Sequence, residues 1–347
     1  MRALTVQPKT PGSVRLDEIP DPAESDGALV VEAIAVGICG TDREIVESGW
    51  GEAPPGRDRL VLGHESLGRV VSAPTGVTVR PGDLVVGIVR RPDPVPCPNC
   101  AVGEWDMCRN GRYTERGIKQ RDGYCAERYR LEPEFVVAVP PALGFLGVLL
   151  EPASVVAKAW EHVDRIGRRA RWDPRAALVT GAGPIGLLAA LMAAQRGLEV
   201  HVLDRMTEGP KPQLVRDLGG VYHAGRVADV QPPPDVIIEC TGVDRLVLDA
   251  IEHVAPGGVV CLIGISSSRR EIGIDANALN RTLVLGNATV FGSVNANCRH
   301  YEAAAAALTR ADRRWLERLI TRRLPLARWP EALAAEPHDI KTVIELG

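Results

Sequence analysis

The segment Ala176-Ala177-Leu178-Val179-Thr180-Gly181-Ala182-Gly183-Pro184-Ile185-Gly186 decides the fold of this chain. Its first five residues are mostly apolar and predict a buried strand, and the apolar run from Ile185 to Gln195 predicts a helix. The G-x-G-x-x-G spacing between them is typical of a dinucleotide-binding turn. Gly181 would permit the tight turn, Gly183 would let the backbone approach the pyrophosphate, and Gly186 would let the helix pack on the strand. The segment therefore predicts a Rossmann domain with a doubly wound parallel sheet.

The adenosine end of the cofactor site follows from position along the chain. Pro184 and Ile185 begin the helix whose N-terminal amides would bind the pyrophosphate. Asp204 ends the second predicted strand about 20 residues further on, where a carboxylate accepts hydrogen bonds from the ribose hydroxyls and repels a 2′-phosphate. This favours NAD, although Arg205 and Lys211 could serve the phosphate of NADP.

The nicotinamide end is expected at the next strands of the series. The apolar runs Asp235 to Glu239 and Gly258 to Ile263 continue the strand and helix alternation that is typical of a parallel sheet buried on both faces. Thr241 follows the first of these runs. It is therefore placed to line the nicotinamide.

Three further pieces of sequence indicate a metal site: Cys39-Gly40-Thr41-Asp42, Gly63-His64-Glu65 and Glu151-Pro152. A thiolate, an imidazole and a carboxylate form a ligand set that suits zinc with one coordination position left open. Cys39 and His64 are the strongest candidates. Asp42 is expected to orient the ligands. Zinc next to nicotinamide indicates hydride transfer from an alcohol whose pKa the metal lowers.

The order of these motifs resembles that of the zinc-dependent medium-chain alcohol and polyol dehydrogenases, and the resemblance covers the whole chain. Within them the chain is most similar to the glucose 1-dehydrogenase branch. The closer match is carried by the segments Ile38 to Ile45, Val61 to Glu65, Val89 to Pro92, Glu115 to Ile118, Asp122-Gly123, Gly292 to Asn295 and Ile340 to Thr342.

The resemblance implies an α/β protein of two domains. A GroES-like, β-rich catalytic domain would comprise residues 1–156 and 295–347, and the Rossmann domain would comprise residues 157–294. The short apolar runs Ala28 to Val36, Leu67 to Ser72 and Asp83 to Ile88, separated by Gly and Pro, agree with the β-rich part. In the tail, Tyr301 to Thr309 and Trp315 to Arg322 show helical patterns.

The resemblance also implies roles for site residues. Glu151 would complete the zinc ligands and contact the substrate. Glu65 directly follows His64 and cannot point in the same direction in an extended segment, so we expect it to ligate alternately or to act behind the ligands. Thr41 would pass the proton of the substrate hydroxyl outward. Glu115 and Asn295 would contact sugar hydroxyls, and Asn295 also the cofactor.

The implied reaction is oxidation of D-glucose or a related aldose at C1 to the 1,5-lactone. Two alternatives remain open at this point: a polyol or secondary-alcohol dehydrogenase on the same scaffold, and a protein without catalysis that binds a dinucleotide.

A second metal is suggested by the spacing C-x2-C-x7-C formed by Cys97, Cys100 and Cys108. The resemblance places a fourth cysteine where this chain has Pro94, and Asp93 could replace the missing thiolate. The alternatives are a lobe held by packing alone, or a disulfide between Cys97 and Cys100 on oxidation.

Composition limits the remaining possibilities. The chain has 347 residues, a net charge of −3 and eight cysteines. Its length suffices for two domains, its dispersed basic residues give no reason to expect nucleic acid, and the turn within residues 176–194 argues against a membrane span. Because Met1 to Val6 lacks a signal-peptide core, we expect a cytoplasmic protein. We also expect a homodimer or homotetramer with a small sugar or polyol as its substrate.

Overall fold

The protein is described by a computed structural model that covers residues 1–48, 50–266 and 271–347. Contacts between Cα atoms divide the chain into two compact units. The first comprises Met1–Ser154 and Asn295–Gly347, and the second comprises Val155–Val294.

The first part of the chain consists of short strands separated by turns rich in Gly and Pro. The strands are β1 (Arg2–Val6), β2 (Arg15–Glu18), β3 (Leu29–Ile38), β4 (Leu60–Val61), β5 (Glu65–Ser72), β6 (Leu84–Gly87), β7 (Arg90–Arg91), β8 (Thr114–Arg116), β9 (Gln120–Arg121), β10 (Arg128–Leu131) and β11 (Val136–Ala138). The helices are α1 (Gly40–Ser48), α2 (Pro98–Ala101) and α3 (Leu150–Gly167). Along β3 buried residues alternate with less buried ones before the strand becomes fully buried, so one face of its sheet covers an aliphatic core.

The second unit alternates strands with helices. Its strands are β12 (Ala176–Thr180), β13 (Glu199–Leu203), β14 (Val221–His223), β15 (Val236–Glu239), β16 (Val259–Leu262) and β17 (Thr289–Gly292). Its helices after α3 are α4 (Pro184–Ala194), α5 (Pro210–Asp217), α6 (Asp244–His253) and α7 (Ala276–Gly286). Every pairing between these strands is parallel, and their order is β14-β13-β12-β15-β16-β17. This is the doubly wound order, which reverses between β12 and β15.

The turn between β12 and α4 has the tight geometry that its glycines predict. Gly181 has a φ of 88°, and a Cβ at position 186 would lie 1.7 Å from the Gly181 carbonyl oxygen. Pro184 occupies the first turn of α4, where its missing N–H costs nothing. Residues Gly186 to Ala193 of this helix are buried. No helix in the described ranges is both long and apolar enough to span a membrane.

The tail contains α8 (Cys298–Arg310), α9 (Arg313–Glu317), β18 (Ile320–Pro325), α10 (Trp329–Leu333) and β19 (Lys341–Glu345). Strand β19 pairs antiparallel with β3 and parallel with β18, so both tail strands join the sheet of the first unit.

Our prediction of a helix over Trp315 to Arg322 is therefore wrong for its second half, where the chain forms β18. Asp312 caps α9 by accepting hydrogen bonds from the backbone N–H of Arg314 (2.7 Å) and Trp315 (3.1 Å), so the helix begins earlier than expected. From Ile320 onward, pairing with β19 replaces helical hydrogen bonds. This pairing depends on a distant segment, which local periodicity does not report.

Candidate active site

The pairing of two strands brings the predicted metal ligands together. Gly37 in β3 pairs with Glu65 in β5, so Cys39 and His64 meet at the neighbouring ends of these strands. Cys39 Sγ lies 3.1 Å from His64 Nε2. The candidate ligand atoms of Cys39, His64 and Glu65 all lie within 4.8 Å of one another.

Asp42, in the first turn of α1, supports both of these residues. It is fully buried. Its Oδ2 accepts a hydrogen bond from the Cys39 backbone N–H (3.0 Å), and its Oδ1 lies 3.4 Å from His64 Nδ1. Thr41 donates its backbone N–H to Cys39 Sγ (3.2 Å). A carboxylate behind a ligating imidazole fixes the ring orientation and the tautomer.

The electrostatics of this cluster suit a cation. Burial opposes protonation of His64, but the nearby Cys39 and Asp42 together raise the pKa of His64 well above its ordinary value. A site that stabilises a positive charge on its imidazole has a negative potential that a bound metal ion would also satisfy. Together with the soft sulfur and the imidazole nitrogen, this fits zinc.

Glu65 has a buried partner that the sequence did not predict. Lys341 Nζ lies 2.6 Å from each carboxylate oxygen of Glu65 and 3.3 Å from the carbonyl oxygen of Ile38. The side chains of Lys341 and Glu65 are 0% and 2% exposed. Lys341 therefore neutralises the carboxylate of Glu65, which still lies within 4.8 Å of the candidate ligand atoms of Cys39 and His64.

Glu151 lies at the start of α3 and is buried. Its carboxylate is outside the group formed by Cys39, His64 and Glu65. Burial raises the pKa of Glu151 to about 7, against the opposing field of His64. Glu151 thus belongs to the same electrostatic environment, and its role as a ligand stays a prediction.

Glu115 is part of a buried polar network. Its Oε1 accepts hydrogen bonds from Arg90 Nε (3.1 Å), Arg90 Nη2 (2.9 Å) and Asn295 Nδ2 (2.8 Å). Asn295 has a φ of 64°, in the left-handed region that asparagine adopts more readily than most residues other than glycine. Among the described residues no side chain donates to the other oxygen of Glu115, which leaves that oxygen able to accept a hydroxyl.

At the nucleotide-binding turn, Asp204 is already hydrogen-bonded. Its Oδ2 accepts the backbone N–H of Ala182 (2.7 Å) and lies 3.5 Å from Lys211 Nζ. Its Oδ1 accepts the backbone N–H of Met206 (2.9 Å). Arg205 is exposed. Asp204 therefore holds the glycine-rich turn in place through Ala182, and Lys211 partly compensates the charge of the Asp204 carboxylate.

The cysteine lobe forms a second cluster. The sulfur atoms of Cys97, Cys100 and Cys108 all lie within 4.8 Å of one another. Hydrogen bonds from the backbone N–H groups of Arg109 and Cys100 lower the pKa of Cys97 to about 6, so a thiolate is available at neutral pH.

Asp93, the expected substitute for a fourth thiolate, is outside this cluster of cysteines. Its Oδ2 accepts hydrogen bonds from Asn110 Nδ2 (2.8 Å) and Arg112 Nε (3.2 Å), and its Oδ1 accepts the backbone N–H of Val95 (2.8 Å). These contacts keep the carboxylate engaged within the lobe, and ligation by Asp93 stays a prediction.

We predict that Cys100→Ser removes one zinc ion per chain and lowers the melting temperature if the lobe binds metal, because structural zinc contributes directly to folding. Metal analysis and thermal unfolding under reducing conditions measure this. Cys298→Ser, which changes a half-buried thiol outside both clusters, is the control. Unchanged zinc content in Cys100→Ser would show that three cysteines do not suffice here.

Two residues of the site were missed as functional candidates. Arg90 and Lys341 are almost fully buried, at 4% and 0% exposure. Each lies in a short strand, and the residues next to it are either apolar or, like Arg91 in its salt bridge, paired with another side chain. A basic residue at an apolar strand position is the available signal, since such a side chain requires a buried partner.

Two protein-family models together match most of this chain. The family model for the C-terminus of glucose dehydrogenase matches residues 144–346, and the model for the GroES-like domain of alcohol dehydrogenase matches residues 25–141. A glucose 1-dehydrogenase of Methanocella arvoryzae is 40% identical, and the match covers 100% of both chains. Glucose 1-dehydrogenase 1 of Caldivirga maquilingensis is also 40% identical, over 100% of this chain and 99% of the relative.

Among solved structures, the glucose dehydrogenase of Haloferax mediterranei in complex with NADP, Zn and gluconolactone is similar throughout. It is 34% identical to this chain, has a TM-score of 0.92, and the match covers 100% of this chain and 99% of that chain.

Proposed function

The chain belongs to the glucose dehydrogenase family, and from this premise we propose that it oxidises D-glucose or a related aldose at C1 to the 1,5-lactone, with zinc and NAD(P) as cofactors. The family and the fold class expected from the sequence are confirmed. The observation that carries the proposal is the Cys39 and His64 pair, 3.1 Å apart and backed by Asp42, in a chain similar over its full length to glucose 1-dehydrogenases.

Cys39 and His64 would hold the zinc, with Glu151 or Glu65 as the carboxylate. When bound, zinc lowers the pKa of an alcohol so that its hydride can leave near neutral pH. Asp42 keeps His64 in the tautomer that presents Nε2. Thr41 lies beside Cys39 with its backbone N–H on the sulfur, and we assign its hydroxyl to the outward transfer of the substrate proton.

Glu115 supplies the recognition of the sugar. Arg90 and Asn295 hold one carboxylate oxygen, which orients the other toward a substrate hydroxyl. A buried charged acceptor contributes roughly 1.5 to 3 kcal/mol per hydrogen bond. A polyol or a simple secondary alcohol that lacks this hydroxyl would not gain this contribution.

We predict that Glu115→Ala lowers kcat/KM for glucose by about tenfold to a hundredfold and hardly affects a simple secondary alcohol. Initial rates with both substrates measure this. Glu115→Gln is the matched variant, since its amide oxygen still accepts from Arg90. Equal losses with both substrates would mean that Glu115 supports the fold instead, and the assignment of a sugar substrate would lose its main residue.

For the dinucleotide we propose a preference for NAD with use of NADP. The Asp204 carboxylate at the end of β13 favours ribose hydroxyls over a 2′-phosphate. The positive charge of Lys211 Nζ, 3.5 Å from this carboxylate, weakens the repulsion between the carboxylate and a 2′-phosphate.

We predict that Asp204→Ser shifts the ratio of kcat/KM for NADP over NAD upward by about tenfold to a hundredfold, because it removes a charge and frees Lys211. Lys211→Met should shift the ratio the opposite way. A wild-type preference for NADP would show that Lys211 outweighs Asp204.

We propose a homodimer or homotetramer. Strand β17 is at the edge of its sheet within the described residues, and on α7, which precedes β17 in the chain, Val284 and Leu285 are 62% and 68% exposed. Unpaired strand edges beside apolar side chains are often covered by a partner. Sedimentation equilibrium tests this, and a monomeric wild type at micromolar concentration would contradict it.

We also propose that the enzyme acts in the cytoplasm. Its eight cysteines are all free, as expected where thiols are kept reduced. Fractionation of the source cells would test this location.

A further inference from the structure

A carboxylate that no part of the reaction uses lies at the reversal point of the parallel sheet. Glu239 is the last residue of β15 and is 0% exposed. Its Oε1 accepts hydrogen bonds from the backbone N–H of Thr241 (2.8 Å) and from Thr180 Oγ1 (3.2 Å), and its Oε2 accepts the backbone N–H of Gly242 (3.1 Å). The Thr241 hydroxyl also donates to Oε1.

Through these contacts the Glu239 side chain holds the backbone of the turn that follows β15. Two consecutive backbone N–H groups point at its two oxygens, and Gly242 has a φ of 64°. The backbone N–H groups of Ile263 and Gly264 donate to the carbonyl oxygen of the same residue (2.8 and 3.0 Å). Glu239 therefore connects the loops that follow β15 and β16. Hydrogen bonds to an ionised acceptor are about twice as strong as neutral ones, so this carboxylate stiffens the turn.

The position of the turn relates it to one half of the cofactor. A dinucleotide spans the crevice where the strand order reverses, here between β12 and β15, and each half of the sheet binds one mononucleotide. Asp204, after β13, marks the adenosine half. The Thr241 turn follows β15 and lies in the other half. At its edge Thr241 Cγ2 would be 2.8 Å from a Cβ at position 181, so the turn adjoins the glycine-rich turn directly.

We propose that Glu239 is a positioning residue that holds the Thr241 and Gly242 turn in the shape that binds the nicotinamide mononucleotide half of the cofactor. This inference rests on the proposed function, since it presupposes that the chain binds a dinucleotide. Both oxygens of Glu239 accept from backbone N–H groups. A glutamine at this position has only one oxygen and would turn an NH2 group toward the other N–H, so the turn would lose its shape although the side chain keeps its size.

The experiment compares NADH with ADP-ribose, which lacks the nicotinamide, by calorimetric titration of the Glu239→Gln protein. We expect the Kd for NADH to rise roughly tenfold or more and the Kd for ADP-ribose to stay within about twofold of wild type. Asp204→Asn is the matched control, because it changes a carboxylate in the adenosine half and should weaken both ligands. Far-UV circular dichroism checks that each variant is folded.

Thr241→Val provides a second test that does not depend on Glu239→Gln being folded. It keeps the side-chain size, removes the hydroxyl that donates to Glu239, and should weaken NADH selectively. Unchanged NADH binding in the folded variants, or equal weakening of NADH and ADP-ribose, would overturn the inference. If the wild-type protein bound neither ligand, the proposed function itself would be wrong, which is a distinguishable result.

Discussion

His64→Ala and Cys39→Ser are expected to lower kcat for glucose by about a thousandfold or more, because the metal supplies several kcal/mol of stabilisation to the charge that develops in the transition state. Both variants should remain folded, since each changes only one side chain, next to the end of β3 or the start of β5, and leaves the pairing of the strands intact. Initial rates measure the loss of activity, metal analysis measures the zinc content, and circular dichroism checks the fold. Chelation of the wild-type protein should reproduce the loss of activity.

Asp42→Asn gives a graded version of the same test. It keeps the shape of the residue behind His64 but removes the charge, so we expect zinc to bind about 10 to 100 times more weakly and activity to return at high zinc concentration. Cys298→Ser is the thiol control. Wild-type kcat in the His64→Ala protein without added metal would rule out the zinc mechanism.

Lys341→Met is expected to destabilise the protein by about 3 to 5 kcal/mol, because it leaves the carboxylate of Glu65 buried without its cation. The two side chains are 0% and 2% exposed, so water cannot replace the lost partner. The free energy of unfolding in urea, measured with both proteins loaded with the same metal, tests this.

The double variant Lys341→Met/Glu65→Gln should recover most of the lost stability, because it removes both charges. Arg226→Met breaks an exposed pair with Asp229 at 3.0 Å and should leave stability close to wild type. A Lys341→Met protein as stable as wild type would show that Glu65 finds another partner.

Much of the site could be predicted because its information is local. The glycine spacing from 181 to 186 determines a turn, because Gly181 takes a positive φ and a side chain at position 186 would clash with the Gly181 carbonyl oxygen. Asp204 could be placed because strand and helix lengths in such a unit vary little. Cys39 and His64 could be chosen as ligand candidates from residue type and neighbouring turn residues.

The clustering of the ligand candidates could not be derived in the same way. Cys39 and His64 meet because β3 and β5 pair in one register, Gly37 with Glu65. A shift of one residue would send these side chains to opposite faces. The helical pattern over Trp315 to Arg322 was misleading for a related reason, since pairing with β19 decided the conformation from Ile320 onward.

The sequence by itself therefore determined the fold class, the nucleotide-binding turn and the chemistry of the candidate metal site, because these depend on short-range spacing and on residue type. Only the tertiary structure decided which groups surround them. Lys341 reaches Glu65 across 276 residues of sequence, and Asn295 reaches Glu115 across 180. The first pair forms because β19 joins the sheet that contains β3 and β5. In both pairs burial makes each partner necessary to the other. No local pattern encodes that requirement.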